Sequence, residues 1–139
     1  DDPNATRGAH YPTPAFENKK DKATIFNFSY EFIGTFVLLL AIFAISKLDA
    51  GLAQLTFPFP IPVSLVIMAI GISLGGSTGY AINPARDLGP RIVYAISRDY
   101  FSKQANHELA LNDWSYSWIP ILAPSIAACI MGGLARIGV

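Results

Sequence analysis

The sequence predicts an all-α membrane protein with three spanning helices and one half-helix that starts inside the bilayer. Three observations carry that prediction. Hydrophobic residues make up 52% of the chain and charged residues only 14%, against about 25% charged in an average soluble domain. The charges are placed so that three long uncharged gaps remain. The longest gap is broken near its end by glycines and an Asn-Pro pair, where one apolar segment stops and a new helix starts.

Composition also excludes several classes. Ten basic and ten acidic residues cancel, so the basic footprint that draws proteins to phosphates is missing and nucleic acid is not an expected partner. Cys129 is the sole cysteine, and His10 and His107 stand far apart, which rules out a disulfide scaffold or a structural zinc site. The chain opens at Asp1 without a basic-then-apolar leader and reads as a mature chain or a fragment.

Residues 1–24 are polar, proline-bearing and without period, as expected of an extramembrane loop. Residues 25–46 form the first spanning helix, about 22 residues with Glu31 as their one charge. A carboxylate near a helix start is favoured by the helix dipole, so Glu31 reads as structural support. Residues 47–60 form a loop. Ala50 to Ala85 carries no charge, yet a single helix of that length would run about 54 Å, well beyond a hydrocarbon core of about 30 Å. The segment must therefore break. Residues 61–76 form the second spanning helix, ended by Gly75-Gly76-Ser77-Thr78-Gly79.

Asn83-Pro84-Ala85-Arg86 then reads as a helix start, with Asn a strong N-cap and Pro suited to the first helical position. Irregular backbone at membrane depth is tolerated only where it is buried in protein or lines a watery cavity. Residues 77–97 are therefore expected to be a re-entrant loop and half-helix. Residues 98–113 form a second extramembrane loop. Residues 114–136 form the last spanning helix, opened by the interfacial aromatics Trp114, Tyr116 and Trp118.

A half-helix that starts in the membrane aims free N–H groups and a positive dipole end at whatever passes. Asn83 adds amide donors, and Gly79, Tyr80, Ala81 and Ile82 offer carbonyls that no helix pairs. Arg86 is an ionisable group at membrane depth, a functional candidate by its cost alone. It would repel cations while donating to neutral polar solutes. In the plainer reading, Asn83 only caps, and Arg86 pairs with Asp87 or a neighbouring helix to hold the loop. Gly71, Gly75 and Gly79, with Ala127, Ala128, Gly132 and Gly133, give spacings that allow close helix packing. Cys129 reads as a small buried apolar residue. The sequons Asn4-Ala5-Thr6 and Asn27-Phe28-Ser29 are short enough to arise by chance. No nucleophile and base pair, phosphate loop or metal cluster supports an enzyme, and no cofactor is expected.

The thirteen-residue run from Gly79 to Arg91, through Asn83-Pro84-Ala85-Arg86-Asp87, resembles the second Asn-Pro-Ala repeat of the aquaporin superfamily, in its glycerol-facilitator branch. The likeness extends over nearly the whole chain. It implies the C-terminal inverted repeat of the aquaporin fold, in a passive plasma-membrane channel for glycerol and similar small neutral solutes with some water, assembled as a homotetramer. By that resemblance Asn83 orients a solute oxygen, Arg86 and Tyr80 belong to the narrow aromatic/arginine constriction, and Gly71 is its small residue. Gly79 and Ala81 contribute carbonyls, Pro84 and Ala85 complete the motif, and Glu31 braces the loop. Asp87, Arg91, Pro120 and Ile121 match positions whose identities separate glycerol channels from water channels.

Three departures accompany the likeness. One Asn-Pro-Ala is present where the family builds a pore from two inverted halves, so the chain is expected to need the N-terminal half to conduct. Tyr80 stands where many glycerol channels have Phe. The family's orientation places Arg7, Lys19, Lys20, Lys22, Arg91, Arg98 and Lys103 outside and only Lys47 and Arg136 inside, the reverse of the positive-inside preference. A mainly water-conducting channel, a non-conducting scaffold of the same fold and an ion-coupled carrier remain as alternatives.

Overall fold

A computed structural model describes residues 3–15, 21–51, 60–105 and 113–138. They form five helices and, among the described residues, no strand: α1 (Pro3–His10), α2 (Asp21–Gly51), α3 (Pro60–Thr78), α4 (Pro84–Ala105) and α5 (Trp118–Arg136). Segments of α2, α3 and α5 are long and apolar enough to cross a membrane: Ala23–Leu48, Pro60–Thr78 and Trp118–Arg136. Their apolar residues run all the way round, as in helices that meet lipid or protein on every side. Ile33, Val37 and Leu40 of α2, Leu65, Met68 and Ile72 of α3, and Leu122, Ile126 and Ile130 of α5 point outward.

The interior is made where α2 lies along α5 on one side and α3 on the other, while α4 packs on α5 and α1 on α4. Ala123 and Ala127 of α5 are fully buried, small side chains of the kind that let helix backbones approach in membranes. Asn27, Glu31 and Thr35 of α2 lie four residues apart and are all buried, so α2 carries a polar stripe inward. Asn27 is only 2% exposed, which closes the second sequon in this fold.

Several expectations need correction. The segment expected to be loop over residues 1–24 contains α1, which has Pro3 at its first position and Arg7 and His10 in its last turn, both favourable placements. α2 runs beyond 25–46 at both ends, because its polar flanks hold no proline to stop it. α4 does not end at 97 but continues to Ala105. The residues Ser97, Arg98 and Asp99 suit a solvated helix as well as a loop. Its first ten residues rise about 15 Å, half of a hydrocarbon core. The last spanning helix begins at Trp118, with Trp114 to Ser117 in turns.

Cys129 is exposed rather than buried, on a face of α5 that meets no described element. Gly132 and Gly133 likewise have no neighbour where a Cβ would stand, and Ala128 is exposed, so of the four small residues at this end only Ala127 serves close packing here. Most of the predicted connection 47–60, the stretch 106–112 of the connection 98–113, and Lys19 and Lys20 lie outside the described residues.

Candidate functional site

The break between α3 and α4 is five residues long, 79–83, and its backbone is unusual. Gly79, Tyr80 and Ile82 have φ of 75°, 41° and 43°, the left-handed region that only glycine enters freely. Tyr80 and the β-branched Ile82 are strained there, at roughly 1–3 kcal/mol each. Surrounding groups hold them in place. The buried Glu31 carboxylate accepts from Ala81 N at 3.0 Å and from Ile82 N at 2.7 Å. Thr78 Oγ1 accepts from Tyr80 N at 3.3 Å. Gly34 lets α2 approach, since a Cβ there would stand 3.1 Å from Ile82 Cγ2.

On the other side of the loop, Arg86 Nη1 donates to the carbonyls of Gly79 at 3.0 Å and Tyr80 at 2.6 Å. Its guanidinium lies 4.5 Å from the centre of the Tyr80 ring, within cation–π range. Two of the carbonyls expected to face a solute thus also fix the arginine. Each has a second lone pair left for another donor. Arg86 Nε and Nη2 have no acceptor among the described residues, and Arg86 is exposed. Asn83 Oδ1 accepts from Ala85 N at 2.9 Å, the bond of an N-cap, and Pro84 takes the first helical position. The Asn83 amide nitrogen has no described acceptor, so capping leaves its donors available.

The proposed pairing of Arg86 with Asp87 does not occur. Asp87 is fully buried and bonds Arg91 instead, through Oδ2 to Nε at 2.8 Å and Oδ1 to Nη2 at 2.6 Å. That fork is the bidentate geometry that matches guanidinium to carboxylate.

Tyr80 lies flat against α3. A Cβ at Gly71 would stand 3.1 Å from Tyr80 Cζ, and one at Gly75 would stand 2.6 Å from Cδ1. Gly71 therefore seats the ring, as does Gly75, which the sequence reading treated only as a packing residue. The four-residue spacing of Gly71, Gly75 and Gly79 was the available signal. A cavity of about 390 Å³ opens over Tyr80 and Arg86. Its far wall is the segment from Gly8 to Thr13, a strap the sequence did not place there. Burial pushes the Tyr11 phenol of this strap above its ordinary pKa, although the Arg91 cation opposes the shift, so the strap is neutral at that position across the physiological range.

The arrangement sets an aromatic ring beside a row of fixed donors and acceptors, with an open chamber before both. A family model described as Major intrinsic protein matches residues 6–135. The chain is 48% identical over 106 residues to glycerol uptake facilitator protein 3 of Lactiplantibacillus plantarum, covering 75% of this chain and 39% of that protein. It is 45% identical over 109 residues to the glycerol uptake facilitator protein of Streptococcus pneumoniae serotype 4, covering 78% and 42%. It is 43% identical over 134 residues to the glycerol uptake facilitator protein of Bacillus subtilis, covering 96% and 41%. The chain thus spans less than half the length of these relatives.

Proposed function

The chain belongs to the major intrinsic protein family, and from that premise we propose that it is the C-terminal half of a passive membrane channel for glycerol and similar small neutral solutes. The relatives named glycerol uptake facilitators support the substrate class. The observation that carries the reading is the seat of Tyr80 on Gly71 and Gly75 beside the exposed Arg86. A polyol has one edge of C–H groups and another of hydroxyls. The ring gives the first edge an apolar wall, while Arg86 and Asn83 donate to the second and the carbonyls of Gly79 and Tyr80 accept from it; Ala81, expected from the sequence to offer a third carbonyl, is fully buried and is corrected to a supporting residue.

Selection rests on size and hydrogen bonding, and the fixed charge of Arg86 opposes cations. Glu31, Asp87, Pro84 and Ala85 support the site without touching solute. No cofactor, metal or catalytic residue enters this function, so it is transport and not enzymatic chemistry. The second half of the pore comes from an N-terminal half of the same channel. The outward apolar faces of α2, α3 and α5 provide surface for that half, for lipid and for the other copies of a plasma-membrane homotetramer.

Stopped-flow light scattering on liposomes holding the full-length channel tests the proposal, with water and glycerol permeability recorded side by side. Rapid glycerol entry without any ion gradient is expected. Fast water without glycerol would replace this reading with a water channel, dependence on an ion gradient would replace it with a coupled carrier, and no flux of either kind would favour a scaffold.

A further inference from the structure

Arg91 is fully buried and has a bond from every nitrogen of its guanidinium. Besides the Asp87 fork, Nη1 donates to the carbonyl of Asp113, ahead of α5, and Nη2 reaches the carbonyl of Pro12 at 3.4 Å. The guanidinium also lies 4.0 Å from the centre of the Tyr11 ring. One side chain thus joins three segments far apart in sequence: the strap, the half-helix and the entry to α5. The strap is pinned at its other end by Ala15 N, which donates to Ser77 O at 2.9 Å.

Between these two anchors Pro12 presses on the loop. A Cβ at Gly79 would stand 3.0 Å from Pro12 Cβ and 3.1 Å from its Cα, so nothing larger than glycine fits under the strap. Gly79 is also the residue whose carbonyl accepts from Arg86 Nη1. A line of direct contacts therefore runs from Arg91 through Pro12 to Gly79 and on to Arg86.

We propose that Arg91 is a positioning residue for the constriction, holding the Tyr11–Pro12 strap against Gly79 so that the Gly79 carbonyl keeps Arg86 in place. The inference rests on the channel reading above. Asp87 orients Arg91, and Tyr11 covers its outer face. Loosening the strap lets Gly79 and Arg86 move, which changes which solutes pass rather than only how many channels fold.

The test uses the full-length channel in liposomes, with glycerol and water permeability measured at matched channel amounts and a four-carbon polyol added to read the size limit. R91K keeps the charge but replaces the planar fork with a point ammonium that cannot hold Asp87, Pro12 and Asp113 together. P12G removes the pressing ring and frees the strap while leaving every buried charge paired. Both variants are expected to shift the glycerol-to-water ratio by about fivefold, the factor that one net hydrogen bond is worth, and to admit more of the larger polyol. A lower unfolding temperature with an unchanged ratio in both variants would overturn the proposal and leave Arg91 a purely structural residue. If R91K fails to fold, P12G alone decides between these outcomes. An unmodified channel that carries no glycerol would overturn the functional reading and the proposal with it, whereas failure of the variants alone leaves that reading standing.

Discussion

Arg86 and Arg91 stand on the same helix five residues apart and are used in opposite ways. Arg91 is fully buried, with Asp87, Asp113 and Pro12 taking its donors and Tyr11 covering its face. Arg86 is exposed, lines the chamber and ties down one nitrogen on two carbonyls, while Nε and Nη2 have no acceptor among the described residues. Residue type does not separate them. Enclosure does: the strap and the entry to α5 close over one guanidinium and leave the other facing the cavity. A buried cation with all its donors satisfied acts as a joint between segments, while an exposed cation held rigid on one side keeps the other side for a solute.

The sharpest way to break this contrast is to remove each guanidinium in turn. R91M strands the buried Asp87 carboxylate without its partner, and a loss of about 3–5 kcal/mol of stability is expected. Thermal unfolding of the purified full-length channel in detergent measures it. Adding D87N to R91M removes the stranded charge and should recover a large part of the loss. R86M should cost less, about 1–2 kcal/mol, because Arg86 is exposed and gives up its bonds to the two carbonyls and its contact with the Tyr80 ring without stranding a buried charge. Its effect should appear in transport, as cation leak through liposomes that the unmodified channel keeps tight. Equal stability losses for R91M and R86M would remove the distinction.

How far this contrast was legible beforehand depends on distance along the chain. The half-helix start at Asn83 and Pro84 is written in adjacent residues, since capping needs only a side-chain oxygen two residues before an N–H. The break before it was equally local, as Gly75, Gly76 and Gly79 fall within five positions. Asp87 beside Arg86 suggested a pair, but on a helix the residue that meets Asp87 is four away, at Arg91. That choice was open to helical geometry. The strap was not: Pro12 meets Gly79 across nearly half of the chain, and nothing in a polar, aperiodic N-terminal segment says which surface it covers. The continuation of α4 past Ser97 was hidden for a different reason, because charged residues suit a solvated helix and a loop alike.

A smaller effect separates the two glycines under Tyr80. The added methyl of G75A would stand 2.6 Å from Tyr80 Cδ1, too close for two non-bonded carbons, so the ring must move off α3 toward Arg86 and narrow the passage. Glycerol permeability is expected to fall by about tenfold, the equivalent of a barrier increase of about 1.4 kcal/mol. In G71A the nearest ring atoms lie between 3.1 and 3.4 Å away, and a shift of a few tenths of an ångström relieves them. A fall of about twofold is expected. Side-by-side glycerol uptake by the two variants at matched channel amounts checks the order, and a greater loss in G71A would mean that the ring sits elsewhere.

The smallest effect belongs to Y80F. The aromatic ring makes the contacts with Gly71 and Gly75 and the stack on Arg86, and phenylalanine keeps all of them. The hydroxyl, carried on Cζ close to Gly71, has no described protein acceptor, so removing it strands no buried partner and should change stability by less than about 0.5 kcal/mol. Its influence is confined to the passing solute. Without it the wall facing the carbon edge of a polyol is fully apolar, and the glycerol-to-water ratio should rise by no more than about threefold, less than the worth of one hydrogen bond. A large fall in that ratio would instead identify the Tyr80 hydroxyl as a solute ligand. The aromatic side chain would then carry part of the polar side of the constriction, and the division of labour between an aromatic wall and an arginine donor would no longer hold.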